Sequence, residues 1–277
     1  MNDFFIVIPT RERLEMLSNL LNNLNAFSTH ISKVVIVDQS SASIDEKIKS
    51  LTLNFPFEII KNDASKSVNH SRNLALSKYN NEKWLFFLDD DISIPKESFY
   101  QIIEILKPNI IDVLIPGIHF STMEKEVKYD TMLDTISKPN NFSKPRFRLQ
   151  VCSGLNITKS EVFKNAGFFF DENFSIWGDD LDFGMRLMQA GANIYFEPKI
   201  KTLHYNSPQG GQRDKAKNLN LELEKQKLYY YFLNKHFSKN VVKREYLMNL
   251  IVALKNGNLN SFLLHIKAKN RAKKIMI

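Results

Sequence analysis

The chain has 277 residues, 43% hydrophobic and 12% aromatic, which excludes a disordered protein and suffices to bury a large α/β core. Its net charge of +8 is uneven: residues 1–200 carry 22 Lys and Arg against 26 Asp and Glu, net −4, while residues 201–277 carry 16 against 4, net +12. An acidic body with a basic tail argues against nucleic acid as the partner and for a tail that meets an anionic surface.

Cys152 is the only cysteine, so an intramolecular disulfide and a cysteine-based zinc cluster are excluded and a reducing compartment is expected. Met1 leads directly into a strand-like run without the segments of a secretory signal, and no run approaches the ~20 apolar residues of a membrane span. The expectation is a cytoplasmic protein, soluble or peripheral on the inner face of the membrane.

In chain order, FFIVIP (residues 4–9) reads as a buried strand, Thr10 as a helix N-cap, and Leu14, Leu17, Leu21 and Leu24 as one helical face. KVVIVD (33–38) repeats the strand and ends on Asp38, which fits either a nucleotide-binding sheet edge or the cap of the polar turn that follows. FEIIKND (57–63) is a third strand. SVNHSRNLALSKY (67–79) is a helix whose Arg72 suits a diphosphate fork or a solvated surface.

WLFFLDDDISIP (84–95) is the centre of the chain: an apolar, doubly buried strand runs into three carboxylates. Three like charges at one strand end repel, so they require solvent or a cation, and oxygen ligands at Asp89 and Asp91 favour Mg2+ or Mn2+. A helix at about 96–106 and a strand at 113–120 follow, then an aperiodic stretch, 121–148, taken as part of an acceptor site. QVCSGLNITKSEVF (150–163) runs from a strand through Ser153 and Gly154 into a helix near Lys159, small residues that let a ligand approach the backbone or simply turn the chain.

IWGDDLDFGMRLMQAG (176–191) is a second acidic stretch, with Gly178 as a turn and Asp179 or Asp180 at a helix N-terminus, where the backbone dipole keeps a carboxylate ionised and able to accept a proton. Capping accounts for one of Asp179, Asp180 and Asp182, not for all three. NIYFEP (193–198) and KTLHY (201–205) read as two short strands of an antiparallel flap. His204 at its end suits either a structural role or metal ligation. From Asp214 onward three helices each pair an apolar face with Lys and Arg, suited to lie on anionic lipid or to pack on the body.

FFIVIPTRER, VVIVDQSS, SVNHSRNLAL, WLFFLDDDISIP, CSGLNITKSEVF with AGFFFDENF, and WGDDLDFGMRL with LHY, in that order, resemble family 2 glycosyltransferases of the GT-A fold over residues 3 to about 206. The resemblance implies a Rossmann-like, mostly parallel sheet flanked by helices in residues 1–212 and a basic helical extension in 213–277. It implies a hexosyltransferase that moves a sugar from a nucleotide-diphosphate donor, a UDP-sugar foremost, to a glycan or lipid-linked acceptor, in bacterial polysaccharide assembly.

Residue by residue, Pro9 and Arg11 resemble the start of the nucleotide pocket, Asp38 a contact to base or ribose, and Arg72 the arginine beside the donor. Asp89 and Asp91 look like the outer members of the DXD motif, the first toward donor and the second toward the metal, with Asp90 as the variable middle member and Gly154 on the donor side. Trp177 and Asp179 fall at the acceptor, Asp180 at the catalytic base, and His204 at the metal-binding histidine of some relatives. Asp179 stands where the usual Glu is one methylene longer. The implied reaction inverts the anomeric carbon, Asp180 taking the acceptor proton. A haloacid dehalogenase-type phosphohydrolase shares the Asp89–Asp91 spacing, but its motif usually opens a chain, and here three strands precede it.

Overall fold

A computed structural model describes residues 3–63, 66–120, 151–205 and 220–275. The stretch 121–148 and the Gly-rich segment after His204 lie outside the described residues. The elements are β1 (Phe4–Thr10), α1 (Leu14–Leu24), a 3-10 turn (Asn25–His30), β2 (Ile31–Asp38), α2 (Asp45–Lys49), β3 (Phe57–Lys61), α3 (Val68–Leu76), β4 (Trp84–Leu88), β5 (Ile92–Ser93) and α4 (Lys96–Leu106). They continue with β6 (Val113–Phe120), β7 (Leu155–Lys159), α5 (Ser160–Asn165), α6 (Asp179–Gln189), β8 (Ile194–His204), α7 (Leu221–His236), α8 (Lys239–Lys255) and α9 (Leu259–Lys273).

The strands form one sheet in the order β3-β2-β1-β4-β7-β6-β8-β5. β3, β2, β1 and β4 run parallel, β7 is antiparallel to both β4 and β6, and β6 pairs parallel with β8. Apolar runs in β1 and β4 follow from burial on both faces. Phe4, Ile6 and Ile8 of β1, with Phe86 and Leu88 of β4, pack against Leu17, Leu21, Phe99 and Ile102. Phe5, Val7 and Phe87 point the other way, toward Ala75, Phe163 and Phe183.

Four expectations need correction. Thr10 does not cap α1: it is still in the strand, and the helix begins at Leu14 behind Arg13 without a side-chain cap. Gly154 precedes its strand instead of following one, since β7 starts at Leu155 and runs directly into α5. The expected flap is one strand, β8, parallel to β6. A register jump takes Pro116 opposite Glu197 and Gly117 opposite Lys201, so the Pro198 region bulges out of the ladder and only resembles a turn in sequence.

The fourth concerns α7, which is not two-faced: Leu228, Tyr230, Tyr231, Phe232 and Leu233 are all buried, the mark of an enclosed helix. With α8 and α9 it forms a third apolar cluster that takes in Phe174, Leu181 and Met185 from the body. Among the described residues no helix is long and apolar enough to cross a membrane.

Candidate active site

Adjacent parallel strands bring their ends together, and β1 lies beside β4 in register, so Pro9 and Thr10 meet the aspartates that follow Leu88. The hydroxyl of Thr10 donates to Asp90 Oδ2 at 2.8 Å. Arg13 Nη1 donates to Asp90 Oδ1 at 2.9 Å and to Asp91 Oδ2 at 3.1 Å. Asp90 is 3% exposed, and burial pushes its carboxyl up to about 6 even though Arg13 pulls the other way. The crowded carboxylates are thus offset from within by a guanidinium at the end of FFIVIPTRER, to which the sequence reading assigns no role.

β5 pairs antiparallel with the end of β8, matching Ile92 to His204. This short pairing sets His204 Nε2 3.2 Å from Asp91 Oδ1. Asp89, Asp91 and His204 each offer one ligand atom, all within 4.8 Å of one another. Two carboxylate oxygens and an imidazole are the donor set of a hard-to-borderline divalent ion such as Mn2+ or Mg2+.

Across the cleft, Arg72 on α3 is 3% exposed. Its guanidinium donates to Asn69 Oδ1 at 2.9 Å and to Asp179 Oδ2 at 3.0 Å, and lies 3.4 Å from Asp89 Oδ1. It therefore ties the two acidic motifs together, and the solvated alternative falls away. Asp179 also accepts from the Ser153 hydroxyl at 2.7 Å, while the Ser153 backbone N–H donates to Asp180 Oδ1 at 2.6 Å. Burial, then the neighbouring Asp179, pushes the Asp180 carboxyl up to about 7, against the pull of the Ser153 hydrogen bonds.

None of the three aspartates of α6 serves as its N-cap. That position is Gly178, left-handed at φ +91°, where an added Cβ would come within 3.0 Å of the Phe174 ring. Asp179 and Asp180 face the cleft. Asp182 turns the other way, accepting from Arg186 at 3.0 Å and pairing with Lys235 at 2.7 Å and His236 at 2.8 Å.

Gly154 is required by close approach: a Cβ there would sit 2.1 Å from Asp89 Oδ2. Asp38 is fully buried, accepting from Ser40 N at 2.8 Å and pairing with Lys61 at 2.9 Å, which is the turn-capping role. Its neighbour Gln39 borders the cleft instead. The cleft, of about 240 Å3, is walled by Pro9, Arg11, Arg72, Asp89, Asp90, Asp91, Ser153, Asp179, Asp180 and His204. Arg11 Nη1 is buried beside it without a hydrogen-bond partner among the described residues. Trp177 borders a second cavity beyond the first turn of α6. Sequence reasoning missed Arg13 and the specific bonds of Ser153.

Similarity to known proteins identifies the family. The profile described as "Glycosyl transferase family 2" matches residues 5–171, from β1 past the three aspartates and Ser153. An uncharacterized glycosyltransferase of Haemophilus influenzae is 24% identical over 210 residues, 73% of this chain and 65% of that protein. The chain thus spans just under two thirds of that relative's length. Among solved structures, S. aureus TarS 1-349 in complex with UDP-GlcNAc aligns with a TM-score of 0.64 at 16% identity, covering 94% of this chain and 72% of that one. The mannosyltransferase PcManGT from Pyrobaculum calidifontis, in complex with GDP-Man and Mn2+, aligns with a TM-score of 0.59 at 11% identity, covering 96% and 73%. Nothing here favours the phosphohydrolase alternative. With its mostly parallel sheet, helices on both faces and acidic cleft at the strand ends, the chain belongs to glycosyl transferase family 2 and has the GT-A fold.

Proposed function

We propose that the chain transfers a hexosyl group, with inversion, from a nucleoside-diphosphate sugar, a UDP-sugar foremost, to a hydroxyl of a glycan or lipid-linked acceptor in bacterial polysaccharide assembly. The observation that carries this reading is that two acidic groups far apart in sequence, Asp89–Asp91 and Asp179–Asp180, face one cleft and are bridged by Arg72.

Each side chain has a task that its surroundings support. Arg11, whose buried Nη1 has no hydrogen-bond partner among the described residues, suits a phosphate oxygen of the donor. Asp89, Asp91 and His204 would hold a manganese or magnesium ion, which when bound offsets negative charge gathering on the departing diphosphate. Asp180 is the base. A carboxyl raised to about 7 takes a proton from an acceptor hydroxyl more readily than an ordinary aspartate does, and Ser153 N–H fixes its orientation. Asp179, held by Arg72 and Ser153, orients the acceptor from beside it.

The division into residues 1–212 and 213–277 is part of the proposal, with the extension docked rather than loose, since α7 shares a core with α6. Contact with the membrane's inner face would come from α8 and α9, where Leu247, Met248, Ile251, Val252 and Leu263 are exposed among Lys243, Arg244, Lys255 and Lys267.

A thermal-shift and hydrolysis screen of UDP-, GDP- and dTDP-sugars, each with manganese and with chelator, tests the donor and the ion. Stabilisation by one nucleotide class that disappears with chelator is expected. Asp180→Asn should lower kcat by about 10²–10⁴-fold with donor binding retained. A folded variant with near-normal transfer would remove Asp180 as the base.

A further inference from the structure

A second cavity, of about 460 Å3, opens where the first turn of α6 meets the C-terminal helices. Trp177 and Leu181 form its wall on the body side, while Gln226 and Tyr229 of α7, Asn249 of α8 and His265 of α9 form the other. The same helical turn separates the two spaces, with Asp179 and Asp180 lining the catalytic cleft and Trp177 and Leu181 lining this one. The residues that line the two spaces thus alternate along one short stretch, Trp177 to Leu181.

The lining has a definite chemistry. Two aromatic side chains, Trp177 and Tyr229, are partly exposed and offer amphipathic faces. Behind them the buried Tyr230 hydroxyl lies 3.1 Å from His265 Nδ1 and accepts from Asn249 Nδ2 at 3.4 Å, and Gln226 hydrogen-bonds the same side chain. Tyr229 is itself fixed by donating to Glu245 at 2.8 Å. This network holds amide and imidazole groups in place at the wall before any ligand arrives. The two charged groups at the rim, Glu222 and Lys225, are 3.9 Å apart and offset each other. Aromatic faces, neutral amides and balanced charge suit an uncharged polyhydroxylated ligand, not a phosphate or a nucleotide.

We infer that this cavity is a distal acceptor subsite, which holds sugar units of a neutral glycan chain beyond the one that receives the transferred hexose. The inference rests on the glycosyl-transfer reading and deepens it. It assigns the C-terminal helices a part in choosing acceptors by length: a chain of several units spans both spaces, and a monosaccharide reaches only the first. The size of the cavity is that of ordinary small-ligand sites.

The chain has two tryptophans, Trp84 buried in β4 and Trp177 on the cavity wall, so tryptophan fluorescence reports on this site. The full chain is titrated with cello-, chito-, malto- and mannotetraose and with the matching monosaccharides. At least one tetrasaccharide should give a saturable change that its monosaccharide does not. Asn249→Ala and Gln226→Ala should weaken it about tenfold, the loss of one or two hydrogen bonds. Unfolding temperatures are measured alongside, and Glu222→Ala, on an exposed rim residue, perturbs the site without touching the core.

Donor-stimulated thermal shift and donor hydrolysis should stay at wild-type levels in all three variants. Absence of a saturable change with every tetrasaccharide overturns the inference, as does tetrasaccharide binding that none of the variants weakens. Either result, with donor binding intact, leaves the transferase reading standing. Tetrasaccharide binding that the variants weaken, in a chain that binds no nucleotide sugar, would keep the subsite and remove that reading.

Discussion

Asp180 is the proposed base, and its environment makes a pH prediction. Burial and Asp179 raise its carboxyl to about 7, so below that pH it is protonated and cannot accept the acceptor's proton. The kcat/KM should rise about tenfold per pH unit below about 7 and level off above it, and Asp180→Asn should lose this limb. Gly154 makes a second prediction: Gly154→Ala puts a Cβ 2.1 Å from Asp89 Oδ2, which shifts that carboxylate within the proposed metal site. Manganese affinity, measured calorimetrically, should fall about 10–100-fold, the range for lost support around a metal ligand. Asp89, Asp91 and His204 were legible because carboxylates and an imidazole at the ends of apolar runs mark strand edges, and Asp179 and Asp180 because a glycine before an acidic, periodic run marks a helix start. Arg13 was not, because nothing in a sequence separates an arginine folded back over a motif from one in solvent. Arg72 became legible only with Asp89 and Asp179 beside it.

Helix α6 is aimed at one end and moored at the other. Asp182 accepts from Arg186 and pairs with Lys235 and His236, so the helix that presents Asp180 is fixed to α7. Burial alone would raise the Asp182 carboxyl, but His236, Arg186 and Lys235 outweigh it and hold the group at about 2, below its ordinary 3.8. The unfolded chain then takes up this proton first as pH falls, so the stabilisation is complete above about pH 4 and is lost as pH drops through about 2. Asp182→Asn at neutral pH should reduce stability by about 3–5 kcal/mol in urea unfolding, because it leaves buried cations short of their counter-charge. Strands β1, β2, β4 and β6 were readable from apolar runs alone. β8 was not, since a bulge containing proline has the local composition of a turn.

At the scale of the molecule, the basic tail splits into an enclosed helix and an outer pair. The composition of the tail showed its charge but not this split: three tyrosines in a row at 229–231 look like surface chemistry until two of them are found packed inside. The exposed apolar and basic residues of α8 and α9 should bind phosphatidylglycerol vesicles and not phosphatidylcholine ones, with binding that falls as salt shortens the Debye length from about 10 Å at 0.1 M to about 3 Å at 1 M. Leu247→Ser and Ile251→Ser should each weaken vesicle flotation about tenfold, the scale of one lost aliphatic burial.

Arg13 has a consequence for turnover. Its guanidinium sits against Asp90 and Asp91, a counter-charge supplied by the chain itself. The proposed cation would therefore take over a share of an existing charge balance and not fill a bare anionic hole. On the proposed reading, release of the spent nucleotide with its ion would return that share to the arginine, and the carboxylates would not prise the strand ends apart by mutual repulsion.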